Sequence, residues 1–453
     1  MATISIKLLL FSLFFIKFCI SENNVYRIPF GLRKNKDRNN DPDIAHNIFY
    51  NNIYVNLSIG TPPQTIPCYI SMSDQIFTIR NKTFIKYNSS TYEELSEYKN
   101  DDPNNKIISG NKSMDILNIN NKKQKINFIL SNQMEYEIYL SGIIGLSIPK
   151  NIEEGVYPFF NSLKLAQLIN SYTWTLKYYN NISLLDTINR NDINIGELIF
   201  GNEPHNYEND KNIYNKSQLI KINPISSYEL AWDIYFDKFY LLNKTDNQKQ
   251  VNISLNGKTK LMPGVGFIFM PKEFDYIINK RFFDKYFEEK ICRYKLINDS
   301  FYIYIECDNN SSFKIESFPD LCFEHKQFET IFNFTYKDLF VYNEKENKYI
   351  FLMITDKYLN GWIFGSIFMK KYQLIFNQDS KTMGYYKQMN FSSETEIDYI
   401  DNKKIIIRYI IIGVIFIASC IALILIGMYV QKICFSKKKK IKVNELEDEI
   451  INS

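Results

Sequence analysis

The chain reads as a mostly β protein of two lobes or domains, tethered to a membrane by one C-terminal helix. Three observations predict this. First, the alternating run Ile53-Tyr54-Val55-Asn56-Leu57-Ser58 is closed by Gly60-Thr61-Pro62-Pro63, the pattern of a half-buried strand and its turn. Second, 453 residues are ample for two lobes or two domains with real cores. Third, apolar segments stand at both ends of the chain.

With 453 residues, 45% hydrophobic and 16% aromatic, the chain can bury two real cores and is not disordered as a whole. A net charge of +4 gives no electrostatic case for nucleic acid as a partner. Residues 1–21 carry a short apolar centre at 8–15 and a small-residue region at Cys19-Ile20-Ser21, the pattern of a secretory signal peptide. Residues 22–50 are polar and charged and are expected to form a flexible leader. At the other end, 409–430 is long enough to cross a bilayer and holds no charge. Lys432 and the lysines at 437–440 follow it and outnumber Lys403, Lys404 and Arg408 before it. That bias predicts a type I protein: a lumenal or extracellular body, a stalk at 391–408 and a Lys-rich cytosolic tail at 431–453, in the secretory pathway or at the cell surface. Cys434 beside the span is either an acylation site or a plain cysteine.

Seven cysteines are present. Cys292 and Cys307 flank a short polar-aromatic segment, consistent with a disulfide-closed hairpin. Cys68 and Cys322 lie in apolar runs and are either buried thiols or a pair. Sequons at Asn81, Asn88, Asn111, Asn243 and Asn298 fit a glycoprotein with surface loops.

Ile59-Gly60-Thr61-Pro62-Pro63-Gln64 resembles the first-lobe signature of the pepsin-like aspartic proteases. Its returning strand is expected to run from Ile66 through Tyr69 to Ile79. Where that family carries Asp-Thr-Gly-Ser, this chain has Ser71-Met72-Ser73-Asp74, so Ser71 holds the catalytic aspartate position and Asp74 is the nearest carboxylate. Gly142-Ile143-Ile144-Gly145-Leu146 resembles the family's Asp-Gly-Ile-Leu-Gly-Leu block, whose second glycine lets two backbones approach beneath the site loop. Phe159, Phe160 and 163–168 resemble the following helix, and 196–201 the strand leading into the second lobe. In the second half the pattern repeats, as an internal duplication would, and Leu261-Met262-Pro263-Gly264-Val265 aligns with the second Asp-Thr-Gly: Gly264 is kept and Met262 holds the aspartate position. Gly361-Trp362-Ile363-Phe364-Gly365 is similar to the family's closing Trp-Ile-Leu-Gly block. Ser109-Gly110 is expected at the tip of the flap hairpin, where the family has Tyr-Gly. The 25–29 run resembles the start of a pepsinogen-type prosegment.

The resemblance implies a bilobal, mostly β, pepsin-like fold over 51–390, with lobes at 51–201 and 202–390 and a disulfide between Cys292 and Cys307. Family chemistry needs two carboxylates sharing one proton, one acting as base on water and the other as acid on the scissile carbonyl. A serine without a base and a thioether supply neither function. No Gly-x-Ser-x-Gly, His-Glu-x-x-His or Cys-x-x-Cys motif offers a substitute chemistry, and no metal or cofactor is expected. The expectation is a catalytically inactive member that keeps a cleft for an extended peptide or protein ligand. The alternatives are an active endopeptidase using displaced carboxylates, Asp74 among them, and a surface scaffold with an unused cleft.

Overall fold

The computed structural model describes residues 25–33, 44–49, 52–99, 109–119, 122–133, 141–148, 159–179, 194–224, 231–242, 249–253, 257–297, 302–356, 359 and 361–387. The signal peptide, stalk, span and tail read from the sequence lie outside these residues, as do the sequons at Asn243 and Asn298. Among the described residues no helix is long and apolar enough to cross a membrane. The chain divides into two compact units, Met1–Phe391 and Ser392–Ser453, and every described residue belongs to the first.

The opening hairpin forms as its pattern predicts. Strand Asn52–Ile59 pairs antiparallel with Gln64–Ser71, and Gly60 in the turn has φ +97°, a conformation that favours glycine. The returning strand does not run on to Ile79. It stops at Ser71, and a separate short strand, Thr78–Arg80, follows a loop. Local hydrogen bonds explain the break: the Ser71 hydroxyl accepts from the Ser73 and Asp74 amides, which turns the backbone out of the ladder.

Each half contains the same four-strand arrangement. In the first, Gln64–Ser71 runs parallel to Gly142–Gly145, which is antiparallel to Thr78–Arg80, which is parallel to Lys122–Gln133. In the second, Lys258–Leu261 runs parallel to Trp362–Phe364, which is antiparallel to Ile268–Pro271, which is parallel to Met353–Asp356. The duplication read from sequence is therefore a duplication of topology. The halves also share a sheet. Strands Ile375–Asn377 and Thr382–Tyr386 from the chain's second half join the first sheet through Thr173–Tyr178, where Trp174 stacks on Phe376 at 4.2 Å.

The expected flexible leader is corrected. Tyr26–Arg33 is an interior strand between Asn194–Phe200 and Asn52–Ile59, and Ile44–Phe49 is a helix with buried apolar residues. The apolar residues Ile28, Phe30 and Leu32 alternate along the strand and bury on one face, which polar composition alone did not reveal.

Cys292 and Cys307 face each other across the antiparallel strands Cys292–Leu296 and Ile303–Asp308 and form the disulfide. Cys68 and Cys322 are buried thiols, neither of them joined in a disulfide. Burial holds the Cys68 thiol well above the usual cysteine range, so it stays protonated.

Candidate functional site: two equivalent loops

Ser71 ends the strand Gln64–Ser71 and is only 4% exposed. Its hydroxyl donates to Asp74 Oδ2 at 2.6 Å and accepts from the amides of Ser73 at 3.3 Å and Asp74 at 3.2 Å. The short bond to a carboxylate is of the charge-assisted kind. Against the family's Asp-Thr-Gly-Ser, carboxylate and hydroxyl have exchanged ends of the loop. With the Ser73 hydroxyl also 3.2 Å away, the Ser71 hydroxyl is tied to the loop on every side and pins its turn. Two of the chain's three histidines have other partners: His205 is hydrogen-bonded to the Tyr386 hydroxyl, and His325 accepts the Phe328 amide.

The loop rests on Gly145. A Cβ there would lie 2.6 Å from the Asp74 carbonyl oxygen, the Gln75 carbonyl carbon and the Ile76 nitrogen. Only glycine allows this approach, which is fixed by Leu146 N–H to Ser71 O at 2.7 Å and Ser147 N–H to Asp74 O at 3.0 Å.

The second loop follows Lys258–Leu261. The Met262 amide donates to Phe364 O at 2.9 Å, and the Ser366 amide to Val265 O at 2.7 Å. Gly365 takes the place of Gly145: a Cβ on it would lie 2.1 Å from Val265 O. Ser71 pairs with Gly145, and one step beyond the Leu261–Phe364 pair places Met262 against Gly365. Register thus makes Met262 the positional counterpart of Ser71. Its side chain is 38% exposed, an unusual openness for methionine.

Tyr69 joins the two loops. A Cβ on Gly264 would lie 2.5 Å from the Tyr69 hydroxyl, so the glycine of the second loop makes room for a ring from the first half. Burial, with the Asp74 charge, pushes the Tyr69 hydroxyl up to about 12 and keeps it neutral. Of the residues 71–74 and 262–265, Asp74 alone is ionisable as a carboxylate. Among the described residues no group of three or more His, Cys, Asp or Glu is arranged to hold a metal ion.

Ser109 and Gly110 are not at a hairpin tip. They open the strand Ser109–Ile119, opposite Lys99 and Tyr98 of Glu93–Lys99, and Gly110 packs against the Leu130 backbone. The connection between those strands, at 100–108, lies outside the described residues. The placement at 109–110 mistook a close-packing glycine for a turn glycine, two uses that look alike in sequence. Two contacts escaped sequence reasoning. Tyr69 on Gly264 left no signal. The Ile48 carbonyl, which accepts the Gly266 amide at 3.2 Å, was hinted at by the helical spacing of Ile44, Ala45, Ile48 and Phe49.

Two duplicated loops, each floored by a glycine and joined across the halves, define a scaffold of the two-lobed acid protease class. The family model for eukaryotic aspartyl protease matches residues 53–388, and the chain belongs to that family. No curated protein matches it significantly.

Proposed function

We propose that this chain is a non-proteolytic member of its family, membrane-tethered in the secretory pathway or at the cell surface, that binds an extended peptide segment between its loops. One observation carries the reading: at the positional pair Ser71 and Met262 stand a hydroxyl tied to Asp74 and an exposed thioether, with no second carboxylate in either loop. One carboxylate cannot share a proton with a partner, so the base-and-acid division of labour has no second member. The apolar thioether and the hydroxyl-rich first loop suit contact with a peptide without attack on it. The apolar 409–430 span, its flanking lysines and the sequons support the tether and a glycosylated body.

The test is incubation of the full-length protein with a diverse peptide library from acidic to neutral pH, with binding and cleavage both read. The expected outcome is saturable binding without turnover, weakened about tenfold by Met262→Trp, equivalent to about 1.4 kcal/mol. Specific turnover blocked by a statine inhibitor sinks the proposal. If such turnover disappeared in Asp74→Asn, it would establish the displaced-carboxylate alternative.

A further inference from the structure

We infer that residues 25–33 and 44–49 form a permanent clasp of the folded body and not a removable leader. The geometry of three contacts points to this. Tyr26–Arg33 has a hydrogen-bonded strand on each side: Tyr26 through Phe30 pair with Phe200 through Gly196, and Phe30 through Arg33 pair with Val55 through Asn52. Its loss would open the sheet in the middle rather than shorten an edge.

The body holds a socket for this strand. Phe30 is fully buried and meets Tyr178 edge-on at 5.0 Å. Opposite it stands Gly196, where a Cβ would lie 2.3 Å from the Lys177 carbonyl oxygen and 2.5 Å from the Phe30 ring, so any side chain there would intrude on the space the ring fills. Arg27 closes the outer end, with ion pairs to Glu197 at 2.9 Å and Glu208 at 3.4 Å and its guanidinium over the Tyr207 ring. The same segment then reaches the second half. The helix Ile44–Phe49 gives its Ile48 carbonyl to the Gly266 amide, and Phe49 packs on Phe267, Phe269 and Tyr302. Gly266 is open for this contact, since a Cβ there would lie 2.3 Å from Ile48 O.

The sequence of this part of the chain offers no substitute for the Tyr26–Arg33 strand. Residues 34–43, Lys-Asn-Lys-Asp-Arg-Asn-Asn-Asp-Pro-Asp, contain no side chain able to fill the Phe30 socket, and the apolar face of 44–49 is already buried. A cut within 34–43 therefore leaves two pieces held together as one folded body. The inference stands whether or not the cleft binds peptide.

A specific protease site inserted between Asn39 and Asn40 of the full-length chain tests it. After cleavage under native conditions, the N-terminal piece is expected to co-purify with the body and to separate only in denaturant, with the melting midpoint of the nicked protein close to that of the intact one. Phe30→Asp in the nicked protein should raise the released fraction at least about tenfold, the equivalent of one 1.4 kcal/mol step. Release of the piece from the nicked wild-type chain, leaving a monodisperse body with an unchanged melting midpoint, overturns the inference. So does a folded natural protein whose mature N-terminus lies beyond Arg33. Retention of the piece despite Phe30→Asp overturns the socket.

Discussion

At the scale of single residues, Ser71 is the informative position. Its hydroxyl bonds to Asp74, lies within hydrogen-bond distance of the Ser73 hydroxyl and receives two amides, so Ser71→Ala removes four polar contacts at once. The expected cost is about 1–3 kcal/mol in denaturant unfolding. The converse experiment rebuilds the dyad. Ser71→Asp with Asp74→Ser and Met262→Asp restores carboxylates at both register-matched positions. This triple variant should show statine-sensitive cleavage at acidic pH that neither loop's changes give alone. Its inactivity in a well-folded variant would mean that residues beyond these two loops have also been lost. The identities at 71 and 262 were legible in the sequence because both flanks align without a gap. The hydrogen bond from Ser71 to Asp74 was not, since a three-residue separation permits many loop shapes.

At the scale of elements, the glycines under the loops decide local stability. Gly145→Ala and Gly365→Ala would each drive a methyl into backbone atoms, which cannot move like a side chain. Each should cost about 1–3 kcal/mol or more, read from the shift in denaturant midpoint. Gly384→Ala meets the end of the Leu219 side chain first and should cost distinctly less. Removal of the Cys292–Cys307 disulfide, which spans 15 residues, should cost about 3 kcal/mol by the loop-entropy argument. The glycine beneath the first loop could be foreseen from Gly-Ile-Ile-Gly, because close backbone approach leaves a residue-type signature. The helix Ile44–Phe49 and the strand Tyr26–Arg33 were read as a leader because their neighbours in sequence are charged. Their partners, Gly266 and Gly196, lie far along the chain.

At the scale of the whole molecule, two histidines held below their ordinary pKa by burial bear on the response to acid. Burial lowers the pKa of His325, against a smaller opposing effect of Asp237, and its Nδ1 accepts the Phe328 amide at 3.1 Å. Burial likewise lowers that of His205, with Glu203 opposing. Below the ordinary histidine value of about 6.5, the unfolded chain takes up protons that the folded chain refuses, so folding stability falls as pH drops through that value. The raised carboxyl of Asp275 works in the opposite direction, but only at lower pH in the carboxylate range. The melting midpoint should therefore decline from neutral pH toward mild acid, and His325→Gln with His205→Gln should flatten that slope. A midpoint that rises on acidification would contradict this account.

The sequence by itself determined the strand-and-turn pattern, the duplication, the family and the identities of the residues at 71 and 262, because these depend on residue type at fixed spacing along the chain. Only the tertiary structure decided that the hydroxyl at 71 is tied to Asp74, that Tyr69 reaches Gly264, and that the N-terminal segment is built into both halves. Those facts depend on which distant backbones meet. A glycine makes such a meeting possible, but nothing in its neighbours along the chain says which residue will fill the space it leaves.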